Sequence, residues 1–196
     1  IDVILNYTES IARQLHEMHG TSLPADITSN LVWPYYKNII SLMMDSRNGI
    51  LTAAYKSGKL IGFCFVSFNP DAFSRKIAEN RFLLILSIFK FIFFKPILIV
   101  DLMGAIFGKV KLIEDFPLTK YPEIFVICVS PDERSTGVGF RLIKKVYELL
   151  EAEGHDFLIT KTSSKRASSF YLKEGFVLIG SQNRITRKLQ IFRRKL

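Results

Sequence analysis

The chain has 196 residues, of which 48% are hydrophobic and 23% charged, and its formal net charge is +9. This length can bury a sizeable core, so we expect one domain spanning residues 1–196, and the composition excludes a wholly disordered protein. The two cysteines, Cys64 and Cys128, lie in apolar runs, which predicts buried free thiols in a reducing compartment. The positive charge favours an acidic partner without identifying which polyanion it is, and no nucleic-acid motif is visible.

Hydrophobic periodicity and turn residues predict strands and helices that mingle without strict alternation. In chain order we expect a strand (1–5), a helix capped by Thr8 that runs to about His19 and is closed by Gly20, and a second helix that follows Ser29 or Asn30 and runs to about Ser46. A hairpin comes next (50–56 and 60–68), with its tight turn at Ser57-Gly58, and then a hydrophobic insertion (82–107). The rest is a strand (123–129), a helix (137–153), a strand (157–162), a short helix (165–174) and two strands (176–181 and 185–192). A mixed α/β sheet of about seven strands flanked by helices fits this order best, with the insertion helical and between strands three and four.

Residues 82–107 are apolar enough to suggest a membrane span, but charges interrupt them. Lys90, Lys95 and Asp101 leave no uncharged run of the ~18–20 residues that a spanning helix needs, and Pro96 would break such a helix. Two interpretations stay open. The segment is either a pair of helices packed over the sheet, or an amphipathic surface that contacts a membrane or a second subunit.

Residues 127–143, ICVSPDERSTGVGFRLI, predict a strand, a polar turn and a helix opened by two glycines. Arg134, Gly137 and Gly139 form the pattern R-x-x-G-x-G. Because side chains are missing there, backbone N–H groups can crowd around an anion, and the helix dipole adds attraction for negative charge. The preceding strand and the following amphipathic helix are the context that a phosphate site requires.

This segment resembles the acetyl-coenzyme A signature of the GNAT N-acetyltransferase superfamily, Q/R-x-x-G-x-G/A. Residues 163–176, SSKRASSFYLKEGF, resemble the family's N-x-x-A-x-x-x-Y-x-x-x-G-F segment, with Ser164 in the position of the asparagine. Residues 123–129 resemble the family's fourth strand and residues 53–68 the hairpin before it. The resemblance implies a GNAT-like fold, acetyl-coenzyme A as co-substrate with no metal, and a cytoplasmic enzyme.

The resemblance also implies cofactor contacts at the end of the fourth strand, in the glycine turn and at the start of the short helix. These positions are Ile127, Cys128, Val129, Arg134, Ser135, Thr136, Gly137, Val138, Gly139, Ser164 and Ala167. The serine hydroxyl at 164 can donate and accept, but over a shorter reach than an amide, so the contact of the family's asparagine is in doubt there.

Two residues match family positions for proton transfer. Tyr171 is the candidate general acid, because a phenol with an unperturbed pKa near ~10 holds its proton at neutral pH and can release it to a nascent thiolate. The alternative is a core tyrosine that anchors the short helix. Glu123 matches the glutamate that histone-modifying members use as general base, and the alternative is a charge in solvent at the start of the strand.

The site that would bind the acetyl acceptor has the least support from the sequence. Residues 18–24, MHGTSLP, resemble the N-terminal segment of bacterial GNAT proteins encoded in surface-polysaccharide gene clusters, where amino sugars are acetylated. His19 and Tyr36 are therefore candidates for the acceptor pocket, and a histidine that caps the end of its helix is the alternative for His19. No cluster of metal ligands is visible in the sequence.

The resemblance implies acetyl transfer to the primary amine of a small molecule, with an amino sugar as first candidate, directly within a ternary complex. Two alternatives stay open. One is a module that binds acyl-coenzyme A and has lost catalysis. The other is transfer to a protein or membrane-linked acceptor that docks on residues 82–107, a segment that could equally form a homo-oligomer contact.

Overall fold

A computed structural model describes residues 2–3, 8–24, 26, 28–79, 81–94, 96–97, 99–100 and 109–196. The strands within these residues are β1 (Asp2–Val3), β2 (Gly49–Lys56), β3 (Lys59–Ser67), β4 (Val110–Leu112), β5 (Glu123–Val129), β6 (Phe157–Thr162), β7 (Val177–Asn183) and β8 (Lys188–Lys195). The helices are α1 (Glu9–Ser22), α2 (Trp33–Met43), α3 (Pro70–Glu79), α4 (Arg81–Phe94), α5 (Val138–Ala152) and α6 (Lys165–Lys173).

The strands form one mixed sheet in the order β1-β2-β3-β5-β6-β8-β7-β4. Neighbours are antiparallel except β5 and β6, which are parallel. The mixed α/β fold is therefore confirmed, with one strand more than the sequence predicts. The additional strand is β4, three residues paired with β7 at the sheet edge, which is too short for an alternating pattern to reveal.

The pairing of the central strand β5 is uneven. Its whole length pairs with β3, from Val129 opposite Gly62 to Glu123 opposite Ser67. With β6 the recorded pairs are Glu123–Ile159 and Ile124–Thr160. Beyond Ile124, the β6 side of β5 therefore faces a gap at the carboxyl end of the strand.

Helices cover both faces of the sheet. Leu15 of α1 and Ile40 of α2 pack with Phe63 on one face, and Leu142 and Val146 of α5 pack on the other. These side chains are fully or almost fully buried, and burial of each stabilises the fold by roughly 1.5–3 kcal/mol. The helical spacing of the α5 residues fixes which side of that helix faces the sheet.

Gly62 determines how closely α5 approaches the sheet. A Cβ at this position would lie 2.9 Å from the carbonyl oxygen of Cys128 and 3.1 Å from side-chain carbons of Val138 and Leu142. Any larger residue would push the start of α5 away from β3 and β5. Gly62 thus helps to position the N-terminus of α5, although nothing in the sequence pattern distinguishes it.

The ends of α1 and α2 differ from the prediction. Thr8 caps α1 as expected, accepting a hydrogen bond from the Ile11 N–H at 3.2 Å, but the helix continues through Gly20 to Ser22. The second helix begins at Trp33, whereas the sequence predicts a start just after Ser29 or Asn30, and it ends at Met43, short of the predicted end near Ser46. The Asn30 amide instead donates to backbone carbonyls of the preceding loop. The predicted hairpin turn at Ser57-Gly58 is confirmed, with both φ angles positive.

The first part of the hydrophobic insertion is helical, as predicted. Residues 82–94 belong to α4, and α3 precedes it. Asp101 and the rest of the predicted segment to 107 lie outside the described residues. Within the described part of the chain, each helix lacks the length or the hydropathy needed to cross a bilayer.

Candidate functional site

The glycine turn leaves the start of α5 open. Gly137 is the N-cap residue, with φ of 84° in the left-handed region, and no side chain caps the helix. In contrast, the hydroxyl groups of Thr8 and Ser164 cap α1 and α6. The first-turn N–H groups of α5 and the positive end of its dipole are therefore available to an anion. Ser135, another residue with positive φ (66°), adds local strain to the turn.

Side-chain contacts hold the turn in one shape. The Thr136 hydroxyl donates to the Glu133 carbonyl oxygen at 2.7 Å, and the Glu133 carboxylate pairs with Lys56 Nζ at 2.7 Å. The hydrogen bond from Lys56 is the main cause that lowers the pKa of Glu133. Arg134 Nη2 donates to the carbonyl oxygen of Ser22, at 3.0 Å. The turn is thus tied to β2 and to the end of α1.

The exposed edge of β5 presents backbone groups to the gap. Because the Ser130 N–H donates to Ile61 of β3, strand alternation turns the backbone groups of Ile127 and Val129 toward the gap. The Ser22 hydroxyl donates to the Val129 carbonyl oxygen at 3.2 Å. The same alternation turns the backbone groups of Cys128 toward β3, and its buried side chain packs on the α1–α2 side.

The predicted contacts on α5 and α6 meet at the edge of the same gap. A Cβ at Gly139 would lie 3.6 Å from the Phe170 ring of α6 and 3.7 Å from Val129 Cγ2. The Ser164 hydroxyl accepts a hydrogen bond from the Ala167 N–H at 3.3 Å. The serine at the family's asparagine position therefore serves as the N-cap of α6.

Tyr171 lies in the core between α6 and the sheet. Its side chain is buried, and its ring packs against Phe176 and Phe192 at centroid distances of 5.2 and 6.2 Å. Burial raises the pKa of Tyr171 well above its usual range, and the nearby Thr160 hydroxyl offsets part of this. The phenol thus keeps its proton at neutral pH. These surroundings are those of a core tyrosine, and a role in proton transfer stays a prediction.

Glu123 lies at the base of the gap, where the pairing of β5 with β6 stops. Its Oε2 is 2.7 Å from Lys161 Nζ, and the Glu123 side chain is 12% exposed. The expectation of a solvent-exposed charge is therefore wrong, because Lys161 and the surrounding strands cover the carboxylate. Its role as a base stays a prediction.

His19 and Tyr36 are in direct contact, and their place in an acceptor pocket stays a prediction. His19 Nδ1 is 2.7 Å from Tyr36 Oη, and both residues are buried. Asp26 Oδ1 lies 3.7 Å from His19 Nε2. Burial lowers the pKa of His19 and raises that of Tyr36. Both groups are thus neutral near pH 7. Because Asp26 Oδ1 faces Nε2, we assign the imidazole proton to Nε2, and the Tyr36 O–H then donates to Nδ1.

Sequence reasoning missed three contributors to this site, namely Ser22, Asp26 and Gly62. Ser22 and Asp26 follow His19 within seven residues, but only the fold brings them to β5 and to the imidazole. No metal site was expected, and among the described residues no group of three potential ligands is close enough to hold an ion.

Comparison with known proteins agrees with the fold. Residues 96–191 match the acetyltransferase (GNAT) domain family. No curated protein matches the chain significantly. Many solved structures do match, and most of the similarity is in fold, since identities are low.

Three of these solved structures illustrate the range of sequence identity and coverage. A protein described as a GNAT-family acetyltransferase from Desulfovibrio desulfuricans is 12% identical, with a TM-score of 0.60 over 99% of this chain and 96% of that chain. The Drosophila melanogaster polyamine N-acetyltransferase, which forms N-acetylagmatine, is 14% identical, with a TM-score of 0.59 over 100% of both chains. A Bacillus anthracis protein named as a streptothricin acetyltransferase, solved with acetyl coenzyme A, is 16% identical, with a TM-score of 0.51 over 80% of this chain and 67% of that chain.

Proposed function

We propose that the chain is an acetyltransferase of the GNAT superfamily, which transfers the acetyl group of acetyl-coenzyme A to the primary amine of a small molecule, directly within a ternary complex. The observation that carries this proposal is the uncapped N-terminus of α5, which opens beside the unpaired edge of β5. Backbone N–H groups there can hold a pyrophosphate. The neighbouring strand edge can hold an extended, amide-containing chain through further backbone hydrogen bonds.

We assign cofactor binding to three parts of the chain. The turn from Arg134 to Gly139 would hold the diphosphate, and the backbone groups of Ile127 and Val129 would hold the pantetheine arm. Ala167, at the start of α6, would close the other side of the gap. When bound, acetyl-coenzyme A supplies the thioester carbonyl. An N–H at the end of β5 would stabilise the negative charge that develops on its oxygen, as a fixed donor does in an oxyanion hole.

Proton transfer would use Glu123 and Tyr171. Glu123, at the base of the gap, would take the proton from the acceptor ammonium so that a neutral amine attacks. Tyr171, which carries its proton at neutral pH, would donate it to the leaving thiolate. Both roles require the bound substrates to reach side chains that are largely covered by neighbouring residues.

The acceptor would lie beside the C-terminal end of α1. His19 and Tyr36 form a buried hydrogen-bonded pair there, and Ser22 links the same helix end to Val129. An amino sugar on a nucleotide carrier is the first candidate, because the carrier's phosphates suit a chain of net charge +9. The two buried thiols, Cys64 and Cys128, suit a reducing compartment such as the cytoplasm.

The test is a thiol-release assay of the purified chain with acetyl-coenzyme A across amino sugars, polyamines, amino acids and peptides. We expect release of free thiol with one small-amine class, and mass spectrometry should show an acetylated amine. Titration calorimetry with acetyl-coenzyme A separates the alternatives. Binding with no thiol release from any amine would indicate a non-catalytic module, and absence of binding would contradict both.

A further inference from the structure

The carboxylate of Glu123 has a fixed partner on the next strand. Lys161 Nζ, on β6, donates to Glu123 Oε2 at 2.7 Å. The two side chains are 27% and 12% exposed, so water screens this ion pair less than an exposed pair such as that of Lys145 with Glu148 on α5. Among the described residues, the second oxygen of the Glu123 carboxylate, Oε1, has no hydrogen-bond partner. Oε1 is therefore the oxygen that remains to accept a proton.

The sheet sets the positions of both residues. Strand β5 is held by β3, and β6 by β8, along the whole length of each strand. Between β5 and β6 themselves, the recorded pairs are those of Glu123 and Ile124. Lys161 comes directly after the last β6 residue paired with β5, so the ion pair spans the place where the two strands separate. Because each partner stands on a strand held by a different neighbour, their mutual geometry is set before a ligand binds.

The Lys161 ammonium has two effects on this carboxylate. It compensates a negative charge that the protein largely covers, and its charge-assisted hydrogen bond limits the rotation of the carboxylate. Without the ammonium, the carboxylate would turn toward water or toward another donor, and Oε1 would no longer point in one direction. A general base must keep its accepting atom within hydrogen-bond reach of the proton that it removes. The partner of Glu123 thus bears directly on the work proposed for Glu123.

We propose that Lys161 is the positioning residue of the base, which holds Oε2 of Glu123 so that Oε1 receives the proton of the acceptor ammonium. This inference rests on the acetyl transfer proposed above, with Glu123 as the base. In that step an N–H bond of the ammonium breaks, the proton goes to Oε1, and the freed lone pair of the nitrogen attacks the thioester carbon. Lys161 keeps its own proton throughout and acts through Glu123 alone.

Lys161→Met tests this role, because methionine keeps an unbranched side chain but lacks the charge. We expect kcat to fall by about ten- to a hundredfold, as it does when a catalytic group is misplaced. The KM for the amine should not rise, because loss of the cation makes the site more negative, which attracts an ammonium. A variant that merely distorted the site would raise KM as well. Lys161→Arg should restore most of kcat, since a guanidinium keeps the charge and the hydrogen bond but does not release its proton.

A double-mutant cycle shows whether Lys161 acts through Glu123. Adding Lys161→Met to Glu123→Gln should slow transfer no further than Glu123→Gln does alone. Urea unfolding of the parent, the single variants and the double variant should give non-additive changes of stability, because the two side chains are in contact. Lys145→Met is the matched control. It removes the ion pair of Lys145 with Glu148 at 3.2 Å on α5 and should leave kcat unchanged.

The outcomes separate this inference from the proposed function. An active parent chain with an unaffected Lys161→Met variant overturns the inference alone, and so do additive losses of kcat in the cycle. If Lys161→Arg is as slow as Lys161→Met, proton transfer by Lys161 itself replaces the positioning role. Additive stabilities would show that the two side chains do not interact in solution, which overturns the inference whatever the activity. A parent chain that releases no thiol with any amine would overturn acetyl transfer, and the role of Lys161 with it.

Discussion

The hydroxyl group of Ser22 donates a hydrogen bond to the carbonyl oxygen of Val129 at 3.2 Å, and so ties the end of the first helix to the end of the central strand. Arg134 strengthens the tie, because its guanidinium donates to the Ser22 carbonyl oxygen. The turn before α5, the open edge of β5 and the His19–Tyr36 pair are thereby held in one neighbourhood. The Ser22 hydroxyl occupies one acceptor position of the Val129 carbonyl oxygen, and the backbone N–H of Val129 is the donor that this strand end presents to a ligand.

Gly137→Val should reduce affinity for acetyl-coenzyme A by at least about tenfold. A β-branched residue resists the left-handed conformation at φ of 84°, and the resulting strain of about 1–3 kcal/mol distorts the N-terminus of α5. Gly154→Val is the matched control, because Gly154 has φ of 79° at the other end of the same helix and open space around its Cα. Calorimetry should show a cofactor defect for Gly137→Val alone, and equal affinities for the two variants would contradict the assigned site.

The glycine turn and the hairpin could be predicted from the sequence because the chemistry that shapes them is local. Gly137, Ser57 and Gly58 have positive φ angles, and the turns that require these angles are formed by neighbouring residues in the chain. The contacts that join the site could not be predicted in this way. Ser22 and Val129 are 107 positions apart, and Gly62 matters only because α5 packs on it. The same holds for Glu123, whose partner Lys161 is identified only once β5 and β6 are aligned.

Tyr36→Phe should destabilise the fold by about 1–3 kcal/mol, because it leaves the buried His19 Nδ1 without its hydrogen-bond donor. Tyr147→Phe is the control. The Tyr147 hydroxyl is buried and has no hydrogen-bond partner among the described residues, so its removal should be neutral or stabilising. Urea unfolding of both variants measures the difference, and equal effects would show that the His19–Tyr36 contact contributes nothing.

The free energy of unfolding should decrease as pH falls from about 7.5 to 5.5. Burial lowers the pKa of His19 and of His16 in the folded state, so the unfolded chain takes up protons first and is favoured at lower pH. Each histidine can contribute a slope of up to about 1.4 kcal/mol per pH unit within the window between its unfolded and folded pKa values. His19→Gln should reduce this slope in urea titrations at several pH values, whatever its effect on absolute stability. An unchanged slope would mean that His19 does not titrate between the two states.

Glu123→Gln should slow acetyl transfer by about a hundredfold or more if this carboxylate is the base, because an amide cannot accept the proton. The glutamine keeps the size of the side chain and can still accept the hydrogen bond from Lys161, which limits the loss of stability. Glu114→Gln is the control. The Glu114 carboxylate forms an ion pair with Arg193 Nη1 at 2.8 Å, and Glu114 is not among the residues assigned to the site. Full activity of Glu123→Gln would show that another group removes the proton from the acceptor ammonium.

Tyr171→Phe separates a catalytic tyrosine from a core tyrosine. The rings of tyrosine and phenylalanine at position 171 fill the same space against Phe176 and Phe192, so the midpoint of thermal unfolding should change little. If the Tyr171 phenol protonates the leaving thiolate, kcat should fall by about a hundredfold while the affinity for acetyl-coenzyme A is kept. Tyr147→Phe again serves as control, because burial also raises the pKa of Tyr147 and its hydroxyl lies in the same core cluster. Turnover equal to that of the parent chain would leave Tyr171 with a purely structural role, since the phenol would then contribute only its ring to the packing beneath α6.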